Sequence, residues 1–216
     1  MLTGHFAHLA LGGDLAKRID TRYGPFAAAR DDSKSARSAL VKLLVNRDDF
    51  LYLVEPEVWA AEPGVVIECP GELVQMVAKG GDPECMTEDA IALTEDDAAD
   101  MAALAHATKP GPWSSLTHRY GQFFGMRVDG RLVAMAGERM QPGGSFAEIS
   151  GVCTAPEFRG RGLARRLITR VMASQRSRGF TPYLHAFRAN AGAVALYESL
   201  GFRTRRAMFV SIVKRA

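Results

Sequence analysis

The chain has 216 residues, 47% of them hydrophobic and 24% charged, and its 27 Lys and Arg against 24 Asp and Glu leave a net charge of +3. That is the balance of a globular protein large enough to bury roughly 70% of its unfolded surface, and the charge is too small to name a partner. Cys69, Cys85 and Cys153 are odd in number and form no C-x-x-C pair, which argues against a disulfide scaffold or a zinc ribbon and fits a reducing cytoplasm. No apolar run reaches the roughly 18 residues of a membrane helix, and the start Met1-Leu2-Thr3-Gly4-His5-Phe6 lacks a basic leader, so neither a membrane segment nor a secretory signal is expected.

In chain order, residues 33–45 carry helix-spaced Ala36, Ala39, Leu40, Leu43 and Leu44. Residues 50–54 and 65–69 read as short strands, and residues 71–78 read as a helix after the Pro70-Gly71 break. The chain changes character over residues 79–88, where Gly80-Gly81-Asp82-Pro83 signals a turn or linker. It separates an N-terminal α/β region, residues 1–85, from a second region, residues 86–216. There, residues 90–93 predict a strand, and Thr94 followed by Glu95, Asp96 and Asp97 predicts a capped helix start. Phe123–Val128 and Arg131–Glu138 flank Asp129-Gly130, the two-residue signal for a tight hairpin, and Phe146–Thr154 follows as a third strand. An arginine-rich helix, a strand at 183–187, a helix at about 190–200 and a last strand near 207–213 complete the pattern. The expected class is α/β (α+β), with a mixed, mostly antiparallel central sheet, helices packed on it, and a smaller N-terminal half.

Residues 159–178 hold Arg159, Arg161, Arg165, Arg166, Arg170, Arg176 and Arg178 with no acid among them, so an anion is expected to meet the protein there. Nucleic acid is not the expected anion, because Leu163, Leu167, Ile168, Val171 and Met172 make this an amphipathic core helix and no aromatic residue interleaves the arginines. The segment joins a strand to a helix start through Gly160 and Gly162, which is either a tight bend or an anion cradle of backbone N–H groups at a helix N-terminus. A Walker loop needs Gly-Lys-Ser or Gly-Lys-Thr, which does not occur, and a dinucleotide-binding turn needs Gly or Ala where Arg165 stands. The spacing that fits is Arg-x-x-Gly-x-Ala, written here as Arg159, Gly162 and Ala164. Downstream, Asn190 can cap a helix, Tyr197 lies about two turns along the same face, and Gly201 can end it. Alone, that helix reads as capped with a core tyrosine.

Taken in order, Arg159-x-x-Gly162-x-Ala164 after the strand through Val152 and N-x-x-A-x-x-x-Y-x-x-x-G-F from Asn190 to Phe202 resemble the GNAT acyltransferase superfamily. The motif-poor first half makes the arrangement similar to the branch that includes the glycine N-acyltransferases. The resemblance implies a GNAT-type sheet, acetyl-CoA as acyl donor, no metal, and direct transfer within a ternary complex to a primary amine on a small molecule or a peptide. A non-catalytic acyl-CoA binding module is the alternative. It further implies that the main chain of Val152, Cys153 and Thr154 pairs with the pantetheine arm, and that the amides of Arg159, Gly160, Arg161, Gly162, Leu163 and Ala164 hold the pyrophosphate. Asn190 and Tyr197 belong to the second motif, with Tyr197 as general acid beside the coenzyme A sulfur.

Glu148 stands where several family members carry a catalytic glutamate and is the expected base, with Glu138 next and water as the other option. Strand alternation puts Glu148 on the face of Phe146, Ser150 and Val152. Trp113, His118 and Tyr120 follow a Pro- and Gly-rich loop that either covers the acceptor or packs on the surface. Cys153 and His185 read as packed core residues. Residues 1–85, either a degenerate half of the same fold or an unrelated cap, are expected to shape the acceptor site, in a monomer or homodimer.

Overall fold

A computed structural model describes residues 2–60, 63–80 and 89–216. Most of the expected linker, residues 81–88 with Cys85, lies outside the described residues. In order the chain forms β1 (Ala10–Gly12), β2 (Ala16–Ile19), β3 (Ala27–Ala29), α1 (Lys34–Val41), β4 (Phe50–Glu55), β5 (Val65–Glu68), β6 (Glu72–Ala78) and β7 (Ile91–Leu93). There follow α2 (Ala98–Thr108), β8 (Phe123–Val128), β9 (Arg131–Glu138), β10 (Phe146–Thr154), α3 (Leu163–Ser177), β11 (Thr181–Phe187), α4 (Ala191–Ser199) and β12 (Phe202–Arg215).

Strands β1 to β3 form a small antiparallel sheet, and the other nine form one sheet in the order β4-β12-β6-β11-β10-β9-β8-β7, with β5 also pairing to β12. The two sequence regions therefore share a sheet. β6, from the first region, lies between β11 and β12 and is antiparallel to both, with Gln75 opposite His185 on one side and Arg206 on the other.

The expected helix over residues 71–78 is this strand instead. Val74 and Met76 enter the main core while Leu73, Gln75 and Val77 line a cavity on the other face. A central strand covered on both faces loses the alternation that marks a half-exposed one, and a short apolar run then fits either period. Strands β8, β9 and β10 have the expected bounds, and the hairpin turns through Asp129 at φ 49° and Gly130 at φ 80°, the left-handed pair whose twist suits a two-residue loop. Before α2, the Thr94 N–H donates to Asp97 Oδ2 at 2.9 Å.

Helices cover both faces of the sheet. α3 presses Leu167, Ile168, Val171 and Met172, all 0% exposed, onto the face that carries Val74, Met76, Ile149 and Leu184. Each such side chain contributes about 1.5–3 kcal/mol of burial. α2 covers the opposite face with Met101 and Leu104 against Phe123, Met135 and Cys153. α1 packs Leu40 onto Leu51, Leu53 and Val213.

Candidate active site

The site is built where β10 leaves its neighbour. β10 and β11 run parallel but pair only at Phe146, Glu148 and the residue between them, opposite Thr181 to Tyr183. Beyond Glu148 they part. On its other side β10 gains one residue on β9 between Ser150 and Cys153, a bulge centred on Gly151 at φ 63°. A Cβ at Gly151 would also come within 2.8 Å of the Phe123 ring. The bulge breaks the alternation: Val152, expected on the face of Glu148, packs with Ile149 on the α3 side, and Cys153 moves to the α2 side. Burial pushes the Cys153 thiol up to about 11.

A cavity of about 1030 Å³ fills the parted strands, and Glu148, Val152, Cys153, Thr154, Arg159, Ala164, Asn190 and Tyr197 all line it. An adjoining hollow of about 270 Å³ lies against Gly160, Gly162 and Leu163 as well as Thr154, Arg159 and Ala164. Gly160 and Gly162 adopt φ 75° and 74°, and a Cβ on either would meet nothing within 4 Å, so backbone conformation rather than space selects glycine here. Helical bonding in α3 starts with Arg166 N–H to Gly162 O at 3.2 Å, and no side chain caps the helix. The N–H groups of its first turn thus have no partner within the helix and sit at the positive end of its dipole, an arrangement suited to a phosphate group. Arg161 lines neither hollow; its guanidinium lies 4.8 Å from the centre of the Phe158 ring.

Across the cavity, Asn190 Oδ1 caps α4 by accepting the Ala193 N–H at 3.2 Å. Two turns on, Tyr197 is 9% exposed and packs edge-on against Phe202. Burial pushes its phenol up to about 12, so at neutral pH it keeps its proton and can donate it.

Glu148 is 2% exposed and fully engaged. Its Oε1 accepts from Arg139 Nη2 at 2.9 Å and from His185 Nδ1 at 2.9 Å, and its Oε2 accepts from Arg139 Nε at 3.1 Å. Burial opposes the charge, but the Arg139 guanidinium and then the His185 hydrogen bond outweigh it and hold the carboxyl down at about 2. A group with so low a proton affinity is a poor direct acceptor for an amine proton. The ring of His185 continues the chain: with Nδ1–H given to Glu148, its Nε2 accepts from the Gln75 amide nitrogen at 3.1 Å, and Gln75 Oε1 accepts from Arg205 Nη1 at 2.7 Å. His185 and Gln75 both line the cavity.

His185 was expected to be a core residue, although Tyr183, His185 and Phe187 alternate with buried Leu184 and Ala186, which is the signal that places them on the open face. Gln75 was hidden by reading β6 as a helix. Glu138 does not line the cavity; it is buried and paired with Arg178 at the end of α3. Trp113, His118 and Tyr120 do not line it either. Trp113 packs on Phe123, His118 pairs with Glu95, and Tyr120 sits among Phe6 and Tyr23, while residues 108–112 supply the loop wall. Among the described residues no three His, Cys, Asp or Glu side chains gather as a metal site, and no helix is long and apolar enough to cross a membrane.

A parallel strand pair that parts at a bulge, facing an uncapped helix start and a buried tyrosine, defines an acyltransferase fold of the GNAT type. Residues 89–202 match the model of the acetyltransferase (GNAT) family, and the chain belongs to that family. The chain is 33% identical over 122 residues to N-alpha-acetyltransferase RimI of Mycobacterium tuberculosis, covering 52% of this chain and 76% of that protein. It is also 33% identical over 102 residues to the ribosomal protein bS18-alanine N-acetyltransferase of Salmonella typhimurium, covering 42% of this chain and 64% of that protein. A crystal structure from Novosphingobium aromaticivorans, assigned to the GNAT family, shares 50% identity over 100% of this chain and 95% of its own, with a TM-score of 0.95. A GCN5-related N-acetyltransferase from Kribbella flavida shares the fold at a TM-score of 0.63 and 19% identity over 96% of this chain and 89% of its own.

Proposed function

We propose that this protein is an acetyl-CoA dependent N-acetyltransferase that moves the acetyl group directly to a primary amine held in the same cavity. The observation that carries the reading is the continuity of that cavity, which joins the uncapped start of α3 and Tyr197 at one end to the Glu148, His185 and Gln75 cluster at the other. The residues fit the donor: glycine-shaped amides at Arg159 to Ala164 suit its pyrophosphate, and β10, free of β11 from Val152 to Thr154, offers main-chain groups to its pantetheine arm. Acetyl-CoA supplies the activated acetyl thioester. A backbone amide near Val152 polarises the carbonyl. Tyr197, protonated at neutral pH, donates its phenolic proton to the departing sulfur.

The expected role of Glu148 as direct base is revised within this proposal. Glu148 orients His185 through Nδ1, and His185 Nε2, which accepts from Gln75, takes the amine proton when the amine replaces that amide as donor. Residues 1–85 shape the acceptor side, since Phe26, Tyr52, Leu73 and Gln75 line it. Similarity to the glycine N-acyltransferase branch is likewise a proposal, supported by that contribution of the first half. The RimI-type names favour a second acceptor class, the N-terminal amine of a peptide.

Tyr197→Phe tests the mechanism. It should lower kcat at least about 10-fold with little change in acetyl-CoA affinity. Unchanged kcat removes Tyr197 from the chemistry, and acetyl-CoA binding by the wild type with no transfer to any amine leaves a non-catalytic binding module.

A further inference from the structure

The acceptor end of the cavity has a marked charge. The lining of the whole cavity holds five Lys or Arg side chains, Lys109, Arg139, Arg159, Arg205 and Arg206, and two carboxylates, Glu55 and Glu148. Arg139 is taken up by Glu148, and Arg159 belongs to the donor end, where its Nε donates to Thr154 O at 3.3 Å. The remaining arginines come from an irregularity in β12. Its register on β6 shifts by one residue between Thr204 and Arg206, so Thr204 opposes core-facing Met76 and Arg206 opposes cavity-facing Gln75. The extra residue is Arg205, and both consecutive arginines line the cavity, which a regular strand would not allow. Arg205 is engaged with Gln75 Oε1. The exposed side chain of Arg206 has no hydrogen bond or ion pair to any described residue.

Arg206, Gln75 and His185 stand in one cross-strand row on β12, β6 and β11. Two strand spacings separate Arg206 from His185 at the backbone, about 10 Å. Both side chains line the cavity from that row, and a separation of that order suits a small molecule with an amine at one end and an oxyanion at the other. Glu55 lines the same cavity but forms no ion pair with Arg206; burial, and then the Asp32 charge, push its carboxyl up while Arg37 opposes them.

We propose that the acceptor is a small amine bearing an anionic group, and that the Arg205–Arg206 bulge is the subsite that binds its carboxylate or phosphate while the amine meets His185. A planar guanidinium matches either oxyanion through paired N–H donors. This assignment rests on the acyltransferase reading above and names its substrate class.

The test is a binding and transfer panel on the full chain loaded with coenzyme A or acetyl-CoA. It contains amino acids beside their amides, O-phosphoethanolamine beside ethanolamine, and an uncharged C-terminally amidated peptide with a free N-terminus. The anionic member of a pair should bind and be acetylated about 10- to 100-fold better than its neutral partner, the range of one charge-assisted hydrogen-bonded contact. Which anionic arm responds separates carboxylate from phosphate. Arg206→Ala should erase that preference while acetyl-CoA affinity stays within about 2-fold, and Arg206→Lys should restore part of it. Equal or better use of the neutral amines or of the peptide overturns the subsite and leaves the acyltransferase intact. So does a preference that survives Arg206→Ala, or an Arg206→Ala loss confined to acetyl-CoA binding. Failure of every panel member overturns it as well, and acetyl-CoA binding measured alongside shows whether the acyltransferase reading falls too.

Discussion

Replacing Glu148 by Gln keeps the shape of the side chain and deletes a charge that is 2% exposed and shared between Arg139 and His185. The folded carboxyl is held at about 2 against an ordinary value of 4.5. That difference corresponds to about 3 kcal/mol of stability at neutral pH. The same order, about 3–5 kcal/mol, follows from leaving the Arg139 guanidinium buried without its counter-charge. Because the folded value is depressed, the contribution is complete above the unfolded carboxyl value, near pH 4.5, and is lost as pH falls toward 2. Urea unfolding of wild type and Glu148→Gln should therefore differ by about 3 kcal/mol at pH 7 and by about 1 kcal/mol at pH 3. By thermal unfolding at pH 7 the variant should melt about 6–12 °C lower. A difference below about 1 kcal/mol at pH 7, or one that stays constant from pH 5 to pH 3, would refute the view of Glu148 as a buried, ion-paired carboxylate.

Asn190→Ala removes the cap on α4 and should cost about 1 kcal/mol, with faster amide exchange at Ala193. Gly137→Ala would place a Cβ within 2.3 Å of the Phe123 ring, so it should destabilise the chain by about 1–3 kcal/mol, read by denaturant midpoint. Cys153, buried and held up to about 11, should resist iodoacetamide at pH 8 while exposed Cys69 is alkylated, as peptide mapping will show. Alkylation of both at equal rates would contradict the packing of the β10 bulge.

The second region was legible because its signals are local. Asp129-Gly130 fixes a hairpin by backbone conformation, Thr94 and the acids behind it fix a helix start, and Gly160 with Gly162 permit the left-handed backbone that a sharp strand-to-helix turn uses. The donor side of the candidate site follows from such features. The acceptor side does not, because it depends on which strands meet. Gln75 reaches His185 only because β6 enters the sheet between β11 and β12, a pairing between residues 110 apart that no spacing announces. Val152 and Glu148 look like same-face neighbours until the Gly151 bulge turns one of them over. Arg205 and Arg206 look like one inward and one outward side chain until a second bulge puts both in the cavity. Burial and partners separate the glutamates: on paper Glu148 leads and Glu138 comes next, and in the structure Glu138 pairs with Arg178 away from the cavity while Glu148 pairs with His185 within it.

The central claim is that the cavity between β10, α3 and α4 binds acetyl-CoA and that its acetyl group leaves only for an amine. Free-thiol release from acetyl-CoA, followed with the purified chain with and without an amine panel and with mass analysis of the products, tests it most directly. The expected result is thiol release that depends on an amine and matches the acetylated product one for one. Saturable acetyl-CoA binding that never yields thiol or product with any amine, or no binding at all, would contradict it.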